Sequence, residues 1–333
     1  MKSKFANYIF VSAALGIALL LCSWGVWGHE HINRAAVFAL PEEMRVFYYN
    51  HVDFITVEST VPDVRRYAYG DKSEGPKHYI DIEMFKMTID SLPQTPAEKA
   101  KLFSDSLLQK AGYLPWQIQE VTTKLTKAFK DKHKSEILLL SADLGHYLGD
   151  AHMPLHTSVN YDGQLSNQTG VHSFWESRLP EKFGNSYNLN TRNAKYIDDV
   201  TKETWRIIKS SHHLVDTLLS ADKEVRRTLP EDKWYKKDEK GIVIKTKYNT
   251  RIQSDEYAEA FHKALHGMVE AQMNASITAV ADFWYTAWVN AGKPDLSVLD
   301  DTELTELNKA PLAKDYAAWK QGKLTKMKAE AEY

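Results

Sequence analysis

The residues that could do chemistry are histidines and carboxylates at spacings suited to bound metal ions. The densest run is Leu144-Gly145-His146-Tyr147-Leu148-Gly149-Asp150-Ala151-His152-Met153-Pro154-Leu155-His156, followed by His172-Ser173-Phe174-Trp175-Glu176. In each, a His and a carboxylate stand four residues apart, so on a helix both side chains leave from one face. Zinc takes imidazole nitrogen and carboxylate oxygen, commonly three or four protein ligands per ion. One His-x-x-x-Asp pair is a weak signal. Two pairs, with His156 beyond the helix-breaking Pro154, are a much stronger one.

Three upstream pieces add candidates. Trp24-Gly25-Val26-Trp27-Gly28-His29 offers His29, Pro62-Asp63-Val64 offers Asp63, and His78-Tyr79-Ile80-Asp81 offers His78. Asp81 could orient an imidazole, as could Asp143, one turn before His146. His31 and His152 sit beside candidate ligands, and His152 could support the site from behind. The isolated His51, His133, His212 and His213 read as structural or surface residues. So do His262 and His266, which stand four apart without a carboxylate in register.

The elements that must hold these groups read as helices. Pro41 opens a segment with Met44, Phe47, Tyr48 and Phe54 at helical spacing. Thr95-Pro96-Ala97-Glu98 is a capping box, and Pro115 opens a helix with Ile118, Val121, Leu125 and Phe129 on one side. Ser135 is expected to cap the helix that carries His146 and Asp150, and Pro154 to end it. Gly145 and Gly149 lie inside that helix, where each costs about 1 kcal/mol relative to Ala, which predicts close approach of another group. Long helical patterns follow at about 197–228 and 254–291. The one β signal is a small hairpin near Trp234–Tyr248. The expectation is an all-α, single multi-helix domain.

Composition narrows the class. The 333 residues are 43% hydrophobic and 26% charged with a formal charge of -2, which argues against a strongly basic nucleic-acid platform. Residues 1–23 read as an export signal peptide: Lys2 and Lys4 precede the apolar run Ile9–Leu21, shorter than the roughly 20 residues a bilayer-spanning helix needs. Cleavage after Ser23 makes Trp24 the new N-terminus and predicts a periplasmic or secreted chain. It also removes Cys22, the only cysteine, leaving no disulfides. The competing reading is a lipid anchor on Cys22. The main domain is expected over 24–295, with a charged C-terminal extension at 296–333 packed on or beside it. The Lys-rich stretch Lys233–Lys247 reads as a solvated loop that could touch a membrane surface or nucleic acid, and no protein partner is indicated.

From Trp24 to Glu176 these motifs, in this order, resemble the superfamily that joins zinc-dependent phospholipase C with the single-strand-specific zinc nucleases. The resemblance implies an all-α protein holding three zinc ions. It implies Asp63, His78, His146 and Asp150 around the first ion, and His156, His172 and Glu176 around the second. It implies Trp24, through its free amine and carbonyl, with His29 and a shared Asp150 around the third. The short Trp24–His29 spacing and Trp175 are nuclease-like, whereas Glu176, where nucleases usually have Asp, is phospholipase-like. Three divalent ions bring +6 and Asp63, Asp150 and Glu176 bring -3, so the cleft keeps about +3 for a phosphodiester. Zinc-bound hydroxide, formed because zinc lowers the pKa of water to about 7, is expected to attack phosphorus in line. Asp63 is the expected catalytic residue, orienting or deprotonating that water. On Glu176 and the missing disulfides the sequence leans to a phospholipase C acting on phospholipid. The alternative is a single-strand nuclease and 3′-nucleotidase, and the non-enzymatic one a structural zinc-binding exported domain.

Overall fold

A computed structural model describes residues 24–246, 251–299 and 306–327. The expected signal peptide, and Cys22 with it, lies outside the described residues. The first helices are α1 (Gly25–Ala39), α2 (Glu42–Asn50), α3 (Val52–Glu58) and α4 (Val61–Tyr67), the last opening on Pro62. Next come α5 (Pro96–Leu102), α6 (Asp105–Ala111), α7 (Leu114–Asp131) and α8 (Lys134–Ala151). The capping box forms as expected: Thr95 accepts from the Glu98 amide, and Glu98 accepts from the Thr95 amide. Ser135 caps nothing, because α8 starts one residue before it, with His133 at the cap position and no side-chain cap bond. The helix stops at Ala151, and Pro154 opens the short 3₁₀ turn Pro154–Thr157.

A continuous helical stretch follows. It runs through α9 (Val171–Ser173), a wide π turn at Phe174–Arg178, and α10 (Leu179–Phe183). The two long patterns of the second half are each broken once. The first divides at Leu214 into α11 (Val200–His213) and α12 (Val215–Thr228). The second divides into α13 (Asp255–Ala264) and α14 (Met268–Asn290), because His266 and Gly267 take left-handed backbone angles (φ 49° and 82°). The hairpin region holds isolated antiparallel bridges, Tyr235 with Gln253, Lys237 with Val243 and Lys245 with Arg251, and no sheet is present among the described residues.

Helix α14 packs on α1, α7 and α8, and α8 packs on α1 and α7, around a shared apolar core, while α3 closes on α1 and α8. The core stacks Tyr48 on Trp284 and sets Trp24 against Trp175 at 4.9 Å. The charged extension was expected to pack on or beside the domain. It also contributes buried apolar residues, with α15 (Glu306–Lys320) set against α2 and Arg45 seated 3.9 Å over the Tyr316 ring.

The glycines of α8 receive their explanation here. A Cβ on Gly145 would sit 1.9 Å from Asn33 Oδ1, and one on Gly149 would sit 3.1 Å from His29 Nδ1. Glycine lets α1 lie against α8, and that approach carries His29 to Asp150.

Candidate metal centre

Four parts of the fold converge around Asp150. Helix α1 brings His29, α4 brings Asp63, the loop after the 3₁₀ turn Gly75–Lys77 brings His78, and α8 brings His146 and Asp150 itself. Asp150 Oδ2 lies 3.0 Å from His78 Nδ1 and 3.3 Å from His146 Nε2. Its Oδ1 lies 3.6 Å from His29 Nε2 and 3.7 Å from His156 Nδ1. Asp63 Oδ1 stands 3.6 Å from His78 Nδ1. On the far side of His156, His172 Nε2 is 3.0 Å from Glu176 Oε1, and His156 Nε2 is 3.5 Å from Glu176 Oε2. The π turn that contains Glu176 keeps it in reach of His172 one turn earlier.

Three groups of ligand-type atoms lie close enough to share an ion: Asp63 with His78 and His146, His29 with His146 and Asp150, and His156 with His172 and Glu176. Backbone carbonyls orient the rings. His146 donates Nδ1–H to Ser59 O at 2.7 Å, His156 to His78 O at 2.7 Å, and His172 to Tyr161 O at 2.8 Å. Each bond leaves Nε2 with its lone pair facing the cluster, the tautomer a metal ligand needs.

The fit to metal rests on what is buried and unpartnered. Both ring nitrogens of His29, Asp63 Oδ2, Asp150 Oδ1 and Glu176 Oε2 are buried without a hydrogen-bond partner. Such groups are costly to bury unless something else binds them. A set of imidazoles and carboxylates with inward-facing lone pairs suits zinc. The electrostatics of the ligand groups agree. Burial pushes the Asp63 carboxyl up, and the neighbouring imidazoles do not fully offset it. Burial also disfavours charge on Asp150, but His146 and His156 outweigh it and hold the carboxylate well below its usual range. His172 is drawn up to about 9 because Glu176 outweighs its desolvation.

Trp24 is fully buried beside the cluster. Its indole N–H donates to Gly149 O at 2.7 Å, one residue from Asp150. Residues 24–278 match the model of the S1/P1 nuclease family. This chain belongs to the S1/P1 nuclease family. No curated protein matches it. As a member, it is a zinc-dependent phosphodiester hydrolase, and its buried His, Asp and Glu groups are the places that could hold the metal. The match is to the nuclease branch, so it favours the nuclease alternative over the phospholipase C reading that Glu176 suggested.

Several expected supporting residues sit elsewhere in this family member. Asp143 pairs with Arg65, while Ser59 O takes the His146 ring N–H. Asp81 Oδ1 touches no imidazole and is a buried oxygen without a partner; burial and Glu83 raise its carboxyl to about 7. His152 turns away, donating Nδ1–H to Leu148 O at 2.7 Å. His31 lies between Trp27 O and Met327 O at 2.6 and 2.8 Å.

One carboxylate at the centre escaped the sequence reading. Glu74 is 1% exposed, with Oε1 3.6 Å from His78 Nε2. The signal was present in Glu74-Gly75-Pro76-Lys77-His78, a carboxylate and a His four apart, like the pairs that were noticed. Gly-Pro between the two residues interrupts a helical register, so the spacing alone does not put them on one face.

Proposed function

We propose that the chain is a single-strand-specific zinc nuclease that hydrolyses phosphodiester bonds of nucleic acid. The observation that carries the reading is the S1/P1 nuclease match over residues 24–278, which spans every candidate ligand. We assign zinc to three sites: Asp63, His78, His146 and Asp150; His156, His172 and Glu176; and Trp24, His29 and Asp150. Bound zinc would supply positive charge for the phosphate oxygens and lower the pKa of water to about 7.

The chain's own groups do the rest. Asp63 Oδ2, buried and without a partner, is the acceptor available to orient an attacking water or take its proton. The carbonyls behind His146, His156 and His172 keep the rings from turning, so the centre reorganises little on reaction. Tyr161, 51% exposed, stands over this edge with its ring 6.4 Å from that of His172. An exposed aromatic ring beside the centre is a stacking platform for an unpaired base, which every nucleotide offers and a lipid head group does not. The same reading places the catalytic domain at 24–295, with 296–333 as its extension. It takes residues 1–23 as a leader that exports the chain.

The test uses chain beginning at Trp24, loaded with zinc. Nucleotide release from single-stranded DNA, abolished by chelator, is expected, with no phosphocholine released from phosphatidylcholine. Lipid cleavage alone would return the chain to the phospholipase reading. Bound zinc without either activity would leave a structural metal site.

A further inference from the structure

The imidazoles of the centre are braced from behind by two kinds of acceptor. His146, His156 and His172 donate to neutral backbone carbonyls. His78 is mounted the other way round. Its Nδ1 faces the cluster, 3.0 Å from both Asp150 Oδ2 and His146 Nε2, and its Nε2 faces the Glu74 carboxylate at 3.6 Å. That Nε2 is buried and no hydrogen bond reaches it, which leaves the Glu74 carboxylate as the acceptor it faces.

Glu74 is held as an anion at that spot. Its Oε2 accepts from Lys77 Nζ at 2.8 Å and lies 3.7 Å from Arg65 Nη1, and its Oε1 accepts from the Tyr147 hydroxyl. Arg65 also pairs with Asp143. The strut therefore joins three elements: α4, two residues after Asp63; the turn before His78; and α8, on either side of His146. A carboxylate behind an imidazole fixes its tautomer and makes the facing nitrogen a stronger donor to metal than a carbonyl would.

We propose that Glu74 is a positioning residue for the ion assigned to Asp63, His78, His146 and Asp150, acting through the Nε2–H of His78. This rests on the zinc reading above. Glu74 touches neither ion nor substrate. A merely structural Glu74 would neutralise Arg65 and Lys77 and leave the affinity of each ion as it was.

The experiment compares Glu74→Gln with the unaltered chain from Trp24, titrating bound zinc against a competing chelator at one pH. Glutamine keeps the size and an oxygen for Tyr147 but loses the charge. One ion is expected to weaken by roughly 10- to 100-fold while the others hold. In the zinc-loaded protein, the strongly deshielded imidazole N–H resonance of His78 should move upfield. In a His78→Gln background, Glu74→Gln should change zinc affinity no further. Equal weakening of all ions, or a lower Tm of the metal-free protein with unchanged affinities, would overturn the proposal. Unaltered protein that takes up no zinc would sink the zinc reading and Glu74 together. Protein that binds zinc without cleaving any phosphodiester would sink only the hydrolase reading, since the affinity comparison still decides the role of Glu74.

Discussion

At the scale of single residues, Asp150 matters most, because its two oxygens face His29, His78, His146 and His156 at once. Exchanging it for Asn should strip more than one ion and lower kcat/KM by about 10³-fold or more, read as zinc per chain and DNA cleavage. Asp63→Asn should cost about 10²- to 10⁴-fold in activity through loss of an acid–base group, with the other ions retained. His152 tests the fold instead. Burial outweighs its bond to Leu148 and lowers the ring to about 4 from the ordinary 6.5. The unfolded chain therefore binds the extra proton between those values, so stability is full above about 6.5 and drains as pH falls toward 4. His152→Gln should flatten that decline by up to about 3 kcal/mol, measured as Tm against pH in chelator.

At the scale of elements, the two glycines of α8 separate packing from metal binding. Gly145→Ala would drive a methyl into Asn33 Oδ1 at 1.9 Å, at a cost of about 1–3 kcal/mol that exceeds the gain in helix propensity. Gly149→Ala gains about 1 kcal/mol as helix but crowds His29 Nδ1 at 3.1 Å. It should lose one zinc of the set while the metal-free Tm holds or rises. These contacts mark how far the sequence could be read. The ligand spacing on α8 and the His172–Glu176 turn were legible because a helix makes i and i+4 neighbours by itself. The braces were not: Ser59 O, Tyr161 O and His78 O are carbonyls, identical in every residue, and only tertiary packing chooses them. Helix ends failed for a related reason. Left-handed backbone at His266 and Gly267 splits a pattern that hydrophobic spacing alone ran through.

At the scale of the molecule, the tail is bound to the core rather than draped on it. Leu312, Trp319, Leu324 and Met327 are buried, and Leu324 O accepts from the Leu189 amide at 2.8 Å. Removing the chain from residue 306 onward should lower Tm by roughly 10 °C or more while zinc per chain stays the same. The centre has the opposite character, because its parts meet only across long stretches of sequence: Trp24 with Gly149 across 125 residues, His146 with Ser59 across 87, and His156 with His78 across 78. Each such contact closes a large loop, and loop closure is slow. During refolding, the main helices must therefore dock before any ion has a seat. Zinc then arrives as the last piece and cannot seed the chain as it does in a small finger domain. Chelator in the refolding buffer should leave the early phases untouched and abolish only a final, zinc-dependent step.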